Sequence, residues 1–70
     1  MEKKTIEKRV GKNLNAILYD KKITQKEIAR AAGVSENAVS RLVGGEKLVS
    51  AGVLEKIANY LGVTLDRLVK

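Results

Sequence analysis

The sequence predicts an all-α fold of five short helices. Three observations lead there. No proline interrupts any of the 70 residues. Apolar residues recur at spacings of three and four, the period of a helix with one buried face. A Ser or Thr stands four times between the same two apolar positions: Ile23-Thr24 with Ile28, Val34-Ser35 with Val39, Val49-Ser50 with Leu54, and Val63-Thr64 with Leu68. Each set has the form of an N-cap hydroxyl with a hydrophobic staple, which marks where a helix begins.

Helix α1 is expected over about residues 5–21, with Ile6, Val10, Leu14, Ile17 and Leu18 as one apolar stripe. Helix α2, about 25–32, starts after Thr24, and Glu27 at its third position completes a capping box. Helix α3, about 36–43, follows the Ser35 cap. Helix α4, about 51–61, follows Ser50, with Gly52 a weak spot in its first turn. Helix α5, about 65–69, follows Thr64. Gly33, Gly44 with Gly45, and Gly62 stand where helices should end in a left-handed residue.

The inward set is then Val10, Leu14, Ile17, Leu18, Ile28, Ala29, Ala32, Val34, Val39, Leu42, Leu54, Ile57, Ala58, Leu61, Leu65 and Leu68. Small residues at 29, 32 and 58 let helices approach closely. Tyr19 and Tyr60, the only rings, are expected at the edge of the core with their hydroxyls in water.

Length and composition bound the function. Seventy residues make one domain at most, burying only about 60% of the unfolded surface. The absence of cysteine fits a reducing compartment. No apolar run approaches the ~20 residues of a bilayer crossing, and MEKKTIEKRV lacks the apolar middle of a signal peptide. The expectation is a cytoplasmic protein without membrane contact. Without His or Cys, neither a zinc site nor the usual imidazole or thiol catalysis is expected. No Gly-rich phosphate loop and no paired carboxylates in an apolar setting are visible. Neither an enzyme, nor a cofactor, nor a metal is expected.

The net charge of +6 is uneven. Residues 1–30 hold nine Lys/Arg against four Asp/Glu, or +5; residues 31–70 hold five against four, or +1. Such asymmetry suits a polyanionic partner such as nucleic acid. It equally suits lysines that keep a small domain in solution.

The stretch TQKEIARAAGVSENAVSRLVGG, residues 24–45, decides the matter. It holds α2 and α3, each too short to be stable alone. A small residue at 29 lets α3 cross α2 closely, and glycine at 33 permits a sharp turn. Val39 and Leu42 face back toward Ile28 and Ala29. This is the physics of a helix-turn-helix, whose two helices meet at about 90–120°.

Here the stretch resembles the helix-turn-helix of the phage repressor and Cro family of transcriptional regulators. Gln25, Ala29, Gly33, Val34, Val39 and Leu42 all fall in register with it. The downstream VSAGVLEKIANYLGVTLDRLV resembles the family's fourth and fifth helices, so the similarity covers about residues 10–69. The resemblance implies a compact five-helix, lambda-repressor-like domain. It implies binding to operator DNA, often as a homodimer. Relatives of this length usually lack a separate oligomerisation domain, which makes the chain Cro-like. Three departures stand out. Val49 replaces a frequent proline. Gly44-Gly45 replaces a frequent Asn-Gly, removing an amide that touches phosphate. Leu18 and Val43 stand where some relatives pair an Arg of the first helix with a Glu ending the third.

In this family the second helix of the motif enters the major groove. The resemblance therefore makes Ser35, Glu36, Asn37, Ser40 and Arg41 the candidates for base contact. Arg41 suits bidentate bonding to guanine, Asn37 to adenine, and Glu36 acceptance from cytosine. Each has a plainer role as well: a surface Arg, an Asn capping locally, and a carboxylate favoured by the helix dipole. Ser40 either reaches the duplex or sits in water. Gln25 corresponds to a residue that bonds phosphate in relatives, and without the resemblance is an ordinary surface Gln. Lys26, Lys47, Lys3 and Lys4 are expected beside phosphates, carrying affinity and not sequence. Lys8, Arg9 and Lys12 are expected to form a solvated face.

The rival function is a phage antirepressor that binds a partner repressor instead of, or as well as, DNA. Glu36 and Glu46 beside the DNA face motivate it, with the missing Asn. An antitoxin or restriction-control role also occurs among relatives. For dimerisation, α5 with Leu65 and Val69 is the candidate surface.

Overall fold

The structure is a computed structural model, and it describes residues 5–70. Lys3 and Lys4 lie outside the described residues. The five helices are α1 Thr5–Lys21, α2 Gln25–Ala32, α3 Glu36–Val43, α4 Ala51–Leu61 and α5 Leu65–Val69, at the expected boundaries. Helix α1 packs on α3 and α5, while α2 packs on α3 and α4.

The helix starts are set by the hydroxyls the sequence marked. Oγ1 of Thr24 accepts from Glu27 N at 3.1 Å, and Oγ of Ser35 accepts from Ala38 N at 3.0 Å. Ser50 and Thr64 accept from Val53 N and Arg67 N, each at 3.3 Å. Each bond satisfies one of the N–H groups that a helix start leaves without an internal partner. Glu27 closes the capping box by accepting from Thr24 N at 3.2 Å. Four staple residues, Ile28, Val39, Leu54 and Leu68, are buried. Their partners Ile23, Val34, Val49 and Val63 are half-buried against the core.

The turn inside the motif is made at Gly33, which adopts φ +71°. Val34 N then donates back to Ala29 O at 3.0 Å, the six-to-one bond of a Schellman ending. Gly62 and Val63 end α4 the same way, with Val63 N donating to Ala58 O at 3.0 Å. Helix α1 ends with this hydrogen bond too, from Ile23 N to Leu18 O at 2.9 Å. There the left-handed residue is Lys22, at φ +58°, a conformation that costs a residue with a Cβ about 1–2 kcal/mol.

Among the described residues the core consists of fourteen apolar residues, every one of them in the expected inward set. Val34 and Leu65 depart from expectation and are half-buried. Val34 belongs to a turn, and Leu65 opens a five-residue helix at the rim. Ile6 is 47% exposed, because it sits one turn before Val10, where the core begins. Tyr19 is 87% exposed. It follows Leu18 by about 100° of helical rotation, away from the buried stripe. Tyr60 does lie at the edge, but its hydroxyl donates to Glu27 Oε2 at 3.2 Å, tying the end of α4 to the start of α2. Gly44 is right-handed, with φ −74°; Gly45, at φ +76°, takes the left-handed place after α3. Asn13 Nδ2 donates to Leu68 O at 2.9 Å and joins α1 to α5.

Candidate nucleic-acid interface

Helix α3 carries the candidate surface, and its two sides are chemically distinct. Val39 and Leu42 are buried and Ala38 is half-buried, whereas Glu36, Asn37, Ser40 and Arg41 are exposed. Spacings of three and four put the apolar members on one face. The remaining positions are left outward by the same geometry.

Ser35 is exposed too, but its oxygen is occupied as the acceptor of the α3 cap. What it retains for a partner is its O–H donor. With Ser35 filling the cap, Asn37 is not needed for that duty. Among the described residues its side chain makes no hydrogen bond. Arg41 likewise forms no ion pair among the described residues. Both are fully available donors.

The loop after α3 adds a cation to this surface. Ser35, Asn37, Arg41 and Lys47 line one open hollow of about 510 Å³, together with Ala38, Leu48, Val49 and Ser50. Residues proposed from sequence for two different contacts, base and backbone, are thus side by side. Glu36 and Ser40 are exposed outside that hollow. The Glu46 carboxylate lies over Gly44, 3.5 Å from where a Cβ would stand.

Gln25 and Lys26 are neighbours in sequence but face different hollows. Gln25 is half-buried and lines a groove with Asn15, Tyr19 and Lys22 at the α1–α2 corner. Lys26 lines another with Glu27, Arg30 and Tyr60. Lys8 is exposed, yet its stem lies against Gly45, so it is not simply a solvated lysine.

One residue that positions α3 is missing from the sequence-based set. Gly11, in the middle of α1, is buried, and a Cβ there would stand 2.6 Å from Leu42 O and 2.7 Å from Val43 O. The end of α3 therefore meets α1 at Gly11. The signal was a glycine inside a long helical pattern, which costs about 1 kcal/mol against Ala and usually marks close packing.

Among the described residues no helix is long and apolar enough to cross a membrane. No group of three or more His, Cys, Asp or Glu side chains gathers among them either.

The comparisons with known proteins agree with this geometry. The family profile of the Cro/C1-type HTH DNA-binding domain matches residues 13–70. The clp gene regulator ClgR from Corynebacterium glutamicum is 30% identical, with a TM-score of 0.85 over 90% of this chain and 67% of its own. The restriction-modification controller protein C.AhdI from Aeromonas hydrophila shares the fold at 22% identity, with a TM-score of 0.82 over 89% of this chain and 94% of its own. A hypothetical transcription factor, NHTF from Neisseria, shares it at 23% identity, with a TM-score of 0.86 over 100% of this chain and 80% of its own. No curated protein sequence matches. With a helix-turn-helix whose second helix is apolar on one side and polar on the other, and a profile match over residues 13–70, the chain belongs to the Cro/C1-type helix-turn-helix family of DNA-binding transcriptional regulators.

Proposed function

We propose that this regulator is a Cro-like repressor that binds a specific double-stranded operator, with α3 in the major groove. It acts as one helix-turn-helix domain, the motif at about residues 24–45. Two copies of the chain would present α3 to half-sites about 34–36 Å apart. Ser35, Glu36, Asn37, Ser40 and Arg41 are the base-contacting residues. Gln25, Lys26, Lys47, Lys3 and Lys4 are the phosphate contacts.

The observation that carries this function is the shared hollow of Asn37, Arg41 and Lys47. Two base-reading side chains and a phosphate-seeking cation open on one side of a braced helix. Arg41 matches guanine O6 and N7, and Asn37 matches adenine N6 and N7. Lys47 supplies charge that is indifferent to sequence.

Selection from a random duplex pool at two salt concentrations tests it. A palindromic motif should be enriched, and its affinity should fall steeply with salt. A second function, capture of a partner repressor, draws support from the exposed Glu36 and Glu46, which sit poorly beside phosphates. Absence of any enriched motif, with tight binding to a purified phage repressor, would replace the first function by the second.

A further inference from the structure

Helix α3 is held at three places. Its start is fixed by the Ser35 cap and the Val34 staple. It also packs on α2, where Ala29 is a buried small residue. Both of these belong to the motif itself. The third support comes from outside. The carbonyls of Leu42 and Val43, in the last turn of α3, abut the backbone of α1 at Gly11. The hydrogen on the Gly11 Cα faces them, the arrangement of a weak Cα–H···O contact. A second glycine completes the joint. A Cβ on Gly45 would meet Lys8 Cα at 3.1 Å and Lys8 Cγ at 3.2 Å. Helix α1 and the end of α3 thus meet backbone to backbone, with a glycine on each side.

We propose that Gly11 is a positioning residue for DNA specificity: it sets the tilt of α3, and through it the placement of Arg41. This rests on α3 being the DNA-reading helix. A Cβ at 2.6 Å from Leu42 O has to reach at least 3.0 Å, and ordinary contact begins at 3.4 Å. The two backbones must therefore separate by 0.4 to 0.8 Å, the differences 3.0 − 2.6 and 3.4 − 2.6, and in this proposal the movement falls on the end of α3, the shorter helix. The start of α3 stays pinned by its cap, so the eight residues, about 12 Å long, pivot about that end. Arg41 precedes Leu42 and moves with the tail, whereas Asn37 sits near the pivot. Polar recognition tolerates about 0.5 Å of misplacement. The retreat reaches that limit at Arg41 and stays well inside it at Asn37.

The test compares wild type, Gly11→Ala and Ala58→Gly, the last a control that weakens α4 away from the joint. Affinities are measured for the duplex wild type selects from a random pool, for its single-base variants, and for a shuffled duplex. Gly11→Ala should lose about tenfold in discrimination at the one base pair that Arg41→Ala also relaxes. Other positions should change by less than about twofold. Ala58→Gly should weaken all duplexes equally and leave every ratio intact, as loss of folded protein alone requires. Full discrimination retained by Gly11→Ala at every base pair overturns the proposal. Amide NMR shifts give a readout independent of DNA. In Gly11→Ala they should move through residues 39–46, and changes confined to α1 overturn the proposal too. If wild type selects no sequence, DNA reading by α3 fails, and the shifts alone decide the joint. If Gly11→Ala does not fold, Gly45→Ala takes its place. It pushes on the same joint, where its Cβ would meet Lys8 Cα at 3.1 Å, but its φ of +76° adds left-handed strain of its own; Gly62→Ala, at φ +73° with nothing within 4 Å, carries that strain without the push. Gly45→Ala should relax the same base pair and Gly62→Ala should leave every ratio intact.

Discussion

Adding a single methyl group at Gly52 should stabilise this protein. Gly52 lies in the first turn of α4, and the space a Cβ would fill is empty to 4 Å. Its φ is outside the left-handed region, so alanine fits its backbone. Glycine costs about 0.8–1.0 kcal/mol against alanine in a helix interior. A first-turn position retains part of that, so the gain should be about 0.4–1 kcal/mol, acting chiefly through the unfolded chain. In a domain of this size 1 kcal/mol moves the melting midpoint by about 4–8 °C. The expected rise is therefore about 2–8 °C by circular dichroism, with an unchanged urea slope. Gly33→Ala is the matching control. Its Cβ would also meet nothing within 4 Å, but its φ is +71°. The same methyl group should there cost about 1–2 kcal/mol. Midpoints shifting in the same direction for both variants would refute the reasoning, because space is equal at the two sites and only the dihedral differs.

Ala29→Leu should destabilise by about 1–3 kcal/mol through overpacking, because Ala29 is 3% exposed; urea unfolding measures it, and a neutral result would mean that α2 and α3 are loosely apposed. Tyr60→Phe should cost about 0.5–1 kcal/mol, and a double-mutant cycle with Glu27→Gln should show coupling between the two. Additive losses would mean that the 3.2 Å bond contributes nothing. Asn13→Ala should speed amide exchange in α5 selectively, since the bond to Leu68 O links that helix to α1. Uniform loss of protection across the chain would show that α5 unfolds only with the whole. Arg41→Ala should relax preference at one base pair at a cost of about 1–3 kcal/mol, while Lys47→Ala should weaken all duplexes alike and lower the salt slope by about one. Exchange of these two outcomes would reverse their roles.

Much of the candidate surface was legible from the residues. Helical spacing alone separates Val39 and Leu42 from Asn37, Ser40 and Arg41, because a side chain's face follows from its position in a helix of known start. The start was known because Ser35 is a cap. What spacing did not reveal is that Lys47 joins the hollow of Asn37 and Arg41. The path of a loop between two helices depends on where both of them pack. Nor did it reveal that Gln25 and Lys26 open into separate hollows.

The amino-acid sequence by itself determined the five helices and the starts of four of them. Caps and staples act within about five residues, so Thr24, Ser35, Ser50 and Thr64 settle their helix starts without help from the rest of the chain. Tertiary structure alone decided the contacts between groups far apart in the chain: Gly11 against Leu42 O, Asn13 on Leu68 O and Tyr60 on Glu27. It also selected which residue after α3 turns left-handed, Gly45 and not Gly44, and held Lys22 in a conformation its side chain disfavours. The physical reason is range. A capping hydroxyl carries its partner a few residues away, whereas a helix-to-helix contact has no address until every other helix has found its place.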